Sequence, residues 1–355
     1  MASGLVTSVV RSPVGSFVEA VLRGVGQVML QDNPLTGAIF LVGIFLSSTT
    51  AGLYALLGTA VATATAMLAG VDRAAVRHGL YGFNGTLTGI ALSAYATHGY
   101  ARFGYVVFAC VAVTAFTAAV HNFVNSAHIP TLTAAFVATT WVFLAGLRQF
   151  GRLSGSTALP AARLPTESLS GAQDLTASDL LHGLFNGIAE VPLQTGLWTG
   201  VALLVGIAVN SRISAAATVA GSLIGLLVAW GLGASEATLR SGLAGYNGVL
   251  TAIALAGLYY LLSYRSAVFA AVAAALSVVV EGTFTTVLAP VGLPVLTAPF
   301  VVTTWLCVFA ASSFTRLYAV HPEDATTPEG NLRTVSRRWH SRDRHLNARV
   351  PDTPR

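Results

Sequence analysis

The chain has 355 residues, of which 54% are hydrophobic and 9% charged, and its formal net charge is +5. Soluble domains carry about 25% charged residues, so a protein this apolar, with mean hydropathy +0.70, cannot cover itself with polar surface and must be sheathed largely in lipid. All 19 basic residues are Arg, and outside the C-terminal tail no basic face interleaves with aromatics, so nucleic acid is not the expected partner.

In chain order, the opening MASGLVTSVVRSP has too little apolar length for a secretory signal peptide. Four long stretches then run without a charge: Pro34 to Gly70, Phe103 to Val120, Ser241 to Ser263 and Gly292 to Thr315. A spanning helix needs roughly 20 mostly apolar residues. Spans are predicted near 34–51, 53–70, 80–97, 103–121 and 130–147, then near 197–211, 213–232, 243–262, 265–284 and 294–313. The expected organisation is a first repeat over 1–147, an extracellular linker over 148–178, and a second repeat over 179–315. An Arg-rich tail over 316–355 is expected to be disordered or to lie on anionic headgroups. With ten spans and a cytoplasmic N-terminus, 14 Arg fall inside and 5 outside, a bias that places both termini in the cytoplasm. Cys110 and Cys307 both sit within predicted spans as small apolar fillers, so no disulfide or Cys-based metal site is expected.

Three blocks of the first half recur in the second. LYGFNGTLTGIAL at 80–92 matches LAGYNGVLTAIAL at 243–255 in nine of 13 positions, 163 residues apart. PTLTAAFVATTW from Pro130 matches PVLTAPFVVTTW from Pro294 in nine of 12, at a separation of 164. QVMLQDNPLTG from Gln27 matches EVPLQTGLWTG from Glu190 in five of 11, again 163 apart. The common order and near-constant spacing mean that the chain is a tandem duplication. Five spans per copy is odd, so the second copy enters the membrane from the opposite side, and a transport site is expected where the copies meet near the midplane. Gly82, Asn84, Gly85 and Gly89 crowd one apolar segment, and Gly245, Asn247 and Gly248 crowd its match. Glycine there serves close helix packing or an opened backbone. Asn84 and Asn247 either satisfy such backbone or touch a solute.

The blocks LYGFNGTLTGIAL, LAGYNGVLTAIAL and QVMLQDNPLTG resemble the motifs of the urea transporter family, over about 20–313 and twice over. The resemblance implies an all-α integral membrane fold of ten transmembrane helices plus two short pore helices, arranged as two five-helix inverted repeats around a central pore. It implies a homotrimer in the cell membrane, one pore per protomer, and passive urea flux with no cofactor and no coupled ion. Carried over by position, one constriction resembles Gln27, Val28, Leu30, Phe83 and Leu87, and the other Glu190, Val191, Leu193, Tyr246 and Leu250, with Thr133 and Thr297 between them. Tyr246 departs from a common Phe, and Leu30 and Leu193 stand where an aromatic is common, which puts selectivity among urea analogues in question.

These residue types suit a small planar amide. Urea has four N–H donors and one carbonyl, and stripping its water without replacement costs roughly 2–7 kcal/mol per amide-like group. Phe83 and Leu87 are four apart and share a helix face, as do Tyr246 and Leu250. Such pairs clamp a flat solute while offering nothing to a dehydrated cation. Gln27 and Glu190 can accept N–H donors at the pore mouth, or Glu190 can orient a short helix. Thr133 and Thr297 can offer hydroxyls to the pore or bond back to their own helices.

Other polar residues point elsewhere. Glu281 has no matching acid in the first half and is placed near an interface; Trp141 and Trp305 match across the copies and are expected to anchor or pack; His121 and His128 lack a third ligand at metal spacing. There is no P-loop, GxSxG, HExxH or CxxC pair, so an enzyme is not expected. Beside urea, the alternatives are a channel for ammonia or short amides and an ion-coupled carrier.

Overall fold

In the computed structural model, which describes residues 12–165 and 176–334, polar residues set where helices begin. Ser12, Asn33, Ser48 and Ser211 each turn a side-chain oxygen onto the free N–H groups of a first turn. The first copy runs α1 (Pro13–Gln27), α2 (Pro34–Ser47), α3 (Thr49–Leu68), α4 (Arg73–Arg77), α5 (Gly82–Tyr95), α6 (Tyr100–Asn125) and α7 (Ala134–Leu147). The second repeats the order as α8 (Ala177–Ala189), α9 (Leu197–Asn210), α10 (Arg212–Gly231), α11 (Glu236–Ser241), α12 (Tyr246–Ile253), α13 (Tyr264–Leu288) and α14 (Ala298–Phe309). Among the described residues no strand forms; Ala96 and Gly155, and Tyr260 and Ala319, make two isolated antiparallel bridges.

The expected spans need correction in length. Among the described residues, four helices are long and apolar enough to cross a membrane alone: α3, α6, α10, and α13 with its short 3-10 continuation to Val291. The segment expected over 130–147 is helical only from Ala134, because Leu132 takes a left-handed backbone at φ 49°. Its match over 294–313 is helical only across Ala298–Phe309, with Leu296 at φ 53°. The segment expected over 243–262 breaks after a π turn at Ala254–Leu258, where Gly257 has φ 126°. Large side chains such as Leu53, Leu68, Phe103, Phe108, Phe123 and Val272 stand exposed around the perimeter, a surface that only lipid or another chain can cover.

Inside, backbones approach closely. A methyl group added at Gly58 of α3 would strike the Gly85 carbonyl of α5, and one at Gly85 would strike the Gly58 carbonyl. Gly221 of α10 and Gly248 of α12 meet in the same way, so the helices carrying the best-matched block lie flush against their neighbours. The copies are joined through matched elements. Thr36 of α2 donates to the Gly206 carbonyl of α9 at 2.8 Å, and Asn210 bonds Gln31 and Asn33 at 2.9 and 3.3 Å. Trp141 Nε1 donates to the Pro294 carbonyl at 2.8 Å, and Trp305 Nε1 donates to the Pro130 carbonyl at 2.7 Å, an exchange of the same contact between the two copies.

The tail, expected to be disordered or to lie on anionic headgroups, makes the following contacts over its described part, up to residue 334. Ala319 pairs with Tyr260 just as Gly155 pairs with Ala96. Residues 328–334 form a helical turn, and Pro328 and Asn331 are buried. The linker and the start of the tail therefore pair in the same way with the chain that leaves α5 and the π turn after α12, and each also reaches the other copy, at Arg163–Ala289 and His321–His128. The tail beyond 334 lies outside the described residues.

Candidate functional site

α1 and α8 both end at the third matched block. Gln27 closes α1, and its Nε2 donates to the His78 carbonyl at 3.0 Å, which holds the side chain and leaves its oxygen as an acceptor. Glu190 caps the end of α8 at the equivalent point and is partly exposed. The chain then turns through Leu30 and Leu193, both left-handed at φ 60° and 58°. A non-glycine residue pays for this conformation with strain of order 1–3 kcal/mol, which persists only where surrounding structure imposes it. Gln31 and Gln194 brace the turns by donating to the Met29 and Pro192 carbonyls. Val28 and Val191 are buried beneath them.

α5 and α12 supply the aromatic and leucine pairs. Phe83 and Leu87 on α5, and Tyr246 and Leu250 on α12, are all buried in the one central cluster that both copies share. The neighbouring asparagines do backbone work. Asn84 Oδ1 accepts from the Phe136 N–H at 3.2 Å and Asn247 Oδ1 from the Phe300 N–H at 3.1 Å, satisfying the first turns of α7 and α14. Asn84 Nδ2 donates to Thr117 and Asn247 Nδ2 to Glu281, both at 3.2 Å. Thr117 is thus the positional counterpart of Glu281, a relation hidden from a search for a matching acid.

Thr133 and Thr297 meet at the centre, hydroxyl to hydroxyl at 2.7 Å. Each immediately precedes α7 or α14, so two helix N-termini converge there. Each carries about half a positive charge, which repels a cation and suits the carbonyl of a neutral solute. The opposite polarity stands at Gln27 and Glu190, where α1 and α8 present their C-termini and the last carbonyls are taken up by the turns, Gln27 by the Leu30 N–H and Glu190 by the Leu193 N–H. Leu132 and Leu296, missed by the sequence reading, lie one residue before the threonines and are buried in the shared cluster. Their identical place in the matched block was the available signal.

A cavity of about 220 Å³ opens on one side of these groups, against Gln27, Leu30, Phe83 and Leu132. His121 and His128 line it, and Tyr259, Pro322 and Glu323 complete the wall. His128 packs edge-on against His321 at 5.1 Å between ring centroids. Among the described residues no group of three His, Cys, Asp or Glu could hold a metal ion. Cys110 and Cys307 are both free and buried.

Compared with known proteins, the chain matches the family model described as Urea transporter over residues 18–312. Urea transporter 1 of Ovis aries is 29% identical over 320 residues, covering 89% of this chain and 82% of the relative. Urea transporter 1 of Rattus norvegicus is 27% identical with the same coverage.

Proposed function

The chain belongs to the urea transporter family, and from that premise we propose that it carries urea across the membrane by passive diffusion through a slot between its two halves. It is a membrane transporter rather than an enzyme. α1 and α8 serve as the two short pore helices. α2, α3, α5, α6 and α7, with their matches α9, α10, α12, α13 and α14, serve as ten spans in two inverted repeats. The exchanged Trp–Pro contacts and the Thr133–Thr297 pair support that two-fold arrangement.

The observation that carries the reading is the burial of Phe83, Leu87, Tyr246 and Leu250 in one cluster with the paired threonines beside Leu132 and Leu296. Urea enters past Gln27 with Val28 and Leu30, its N–H groups turned to acceptors, and slides edge-on between the aromatic and leucine faces. At the centre the Thr133 and Thr297 hydroxyls replace lost water. It leaves past Leu193, Val191 and Glu190. A cation loses its hydration shell between apolar faces and meets two positive helix ends, so it is rejected.

The family resemblance supports a homotrimer in the plasma membrane with a pore in each protomer. Both termini are cytoplasmic in this reading, which the Arg distribution supports. The His128–His321 contact supports that orientation, which needs the loop after α6 and the tail on one side.

Stopped-flow uptake into proteoliposomes tests the proposal. Urea flux should exceed that of empty vesicles, saturate weakly and ignore sodium and pH gradients, while methylammonium should pass far more slowly. Urea uptake no faster than in empty vesicles would refute it, and uptake against a gradient would make the protein a coupled carrier.

A further inference from the structure

The matched helices α5 and α12 differ at one place. α5 runs unbroken to Tyr95, whereas the π turn that continues α12 opens at Ala256 and Gly257, and Tyr259 follows that turn directly. An opened helix leaves carbonyls without helical donors, and buried carbonyls need partners. The partner comes from the far end of the chain. Asn331 Nδ2 donates to the Gly257 and Leu258 carbonyls at 2.9 and 3.1 Å. Its Oδ1 accepts from the Thr326 N–H at 3.0 Å and hydroxyl at 2.9 Å, which closes the turn that carries it. Pro328 fits the space that Gly257 leaves free; a methyl group on Gly257 would lie 2.7 Å from the Pro328 Cβ.

A second anchor lies alongside. Glu329 accepts from the Ser211 hydroxyl at 2.7 Å and the Ile213 N–H at 3.0 Å, at the start of α10. Between these anchors and the Tyr260–Ala319 bridge, the chain crosses the mouth of the cavity, where Pro322 and Glu323 form part of the wall with Gln27 and Phe83. Tyr259, held between the break and the bridge, lines the same cavity.

We propose that Asn331 is a positioning residue of the pore: through the break at Gly257 it fixes the end of α12 and Tyr259, and it pins residues 319–331 as a strap across the inner mouth. This rests on the reading of the cavity as one mouth of a urea pore. The strap therefore sets the width of that mouth and the largest amide that enters it, although no pore motif lies in the tail.

Asn331→Asp is the discriminating variant, because it keeps the acceptor used by Thr326 and removes the donors to Gly257 and Leu258. Losing two hydrogen bonds to buried carbonyls shifts the docked-to-released ratio by about tenfold. In proteoliposomes of the full chain, the permeability of 1,3-dimethylurea relative to urea should rise several-fold in Asn331→Asp. A cysteine placed at Asn125→Cys, in the cavity wall, should react faster with a charged methanethiosulfonate in the same background. Cys110 and Cys307 are buried and give little competing label. Glu329→Ala, at the second anchor, should shift both readouts in the same direction, and it serves if Asn331→Asp does not fold. Unchanged labelling and unchanged discrimination in the variants that fold would overturn the proposal. If the parent itself passes no urea, the functional reading fails, and the labelling rate still decides whether Asn331 holds the strap.

Discussion

The Tyr246 hydroxyl donates to the Leu296 carbonyl at 2.6 Å. That bond ties the α12 aromatic to the left-handed turn just before Thr297, so ring position and the Thr297 hydroxyl are set together. Phe83, the match of Tyr246, has no hydroxyl with which to repeat the bond at Leu132. The two matched aromatic–leucine pairs thus differ in how the ring is held, since only the Tyr246 ring is tethered by a hydroxyl.

Tyr246→Phe should cost about 1–3 kcal/mol, the price of a buried carbonyl left without its donor, seen as a lower melting temperature in detergent. Urea flux should persist, since the ring face remains. Tyr246→Ala should widen the constriction and weaken discrimination against dimethylurea. Equal urea-to-dimethylurea ratios in parent and Tyr246→Ala would remove Tyr246 from the constriction.

The threonine pair should act as a unit. Thr133→Val or Thr297→Val alone leaves a buried hydroxyl without its partner, so each should slow urea flux, and the double variant should fall short of the product of the two effects. Groups in contact typically show coupling of about 0.5–3 kcal/mol. Strictly multiplicative losses in a double-mutant cycle on urea permeability would show that the two hydroxyls do not act together.

What the sequence made readable is what the duplication kept. Asn84 and Asn247, Phe83 and Tyr246, Thr133 and Thr297, and Trp141 and Trp305 all stand in matched blocks, and matching raised them above the apolar background. Helix length was hidden because the non-helical approaches, PTL and PVL, are as apolar as the helices they precede. Periodicity could not mark those boundaries either, since α5 is buried on nearly every side and shows no polar face. The docked tail was invisible for the opposite reason. Its polar composition reads as disorder, and only the opened carbonyls at Gly257 and Leu258 explain why Asn331 is held there.

Asn84→Ala and Asn247→Ala should each destabilise by about 1–3 kcal/mol, because a buried helix N–H loses its acceptor and a neighbouring side chain loses a donor. Asn247→Ala should be the worse, since it strips a donor from the Glu281 carboxyl group, whereas the Thr117 hydroxyl keeps its bond to the Val113 carbonyl. Thermal unfolding followed by tryptophan fluorescence orders them; an Asn84 variant less stable than the Asn247 variant would contradict this.

Acid should release the strap at its Glu329 anchor. Burial opposes the charge on Glu329, but hydrogen bonds from the Ile213 N–H and the Ser211 hydroxyl outweigh it and hold the carboxyl below the usual glutamate range. A lowered native value stabilises docking above the unfolded value and loses that contribution as pH falls through the native one. Labelling at Asn125→Cys, read with a reagent whose reactivity is corrected for thiol ionisation, should rise only below the ordinary glutamate range. Glu329→Gln should shift or abolish the transition, and an unaltered pH profile in that variant would assign it to another group.

The most direct measurement is a structure of the protein soaked with urea or a heavier planar analogue. The account places flat solute density between the Phe83–Leu87 and Tyr246–Leu250 pairs, with its edge toward the Thr133 and Thr297 hydroxyls. Solute bound only outside that space at saturating concentration, with the space between the pairs filled by protein, would contradict it.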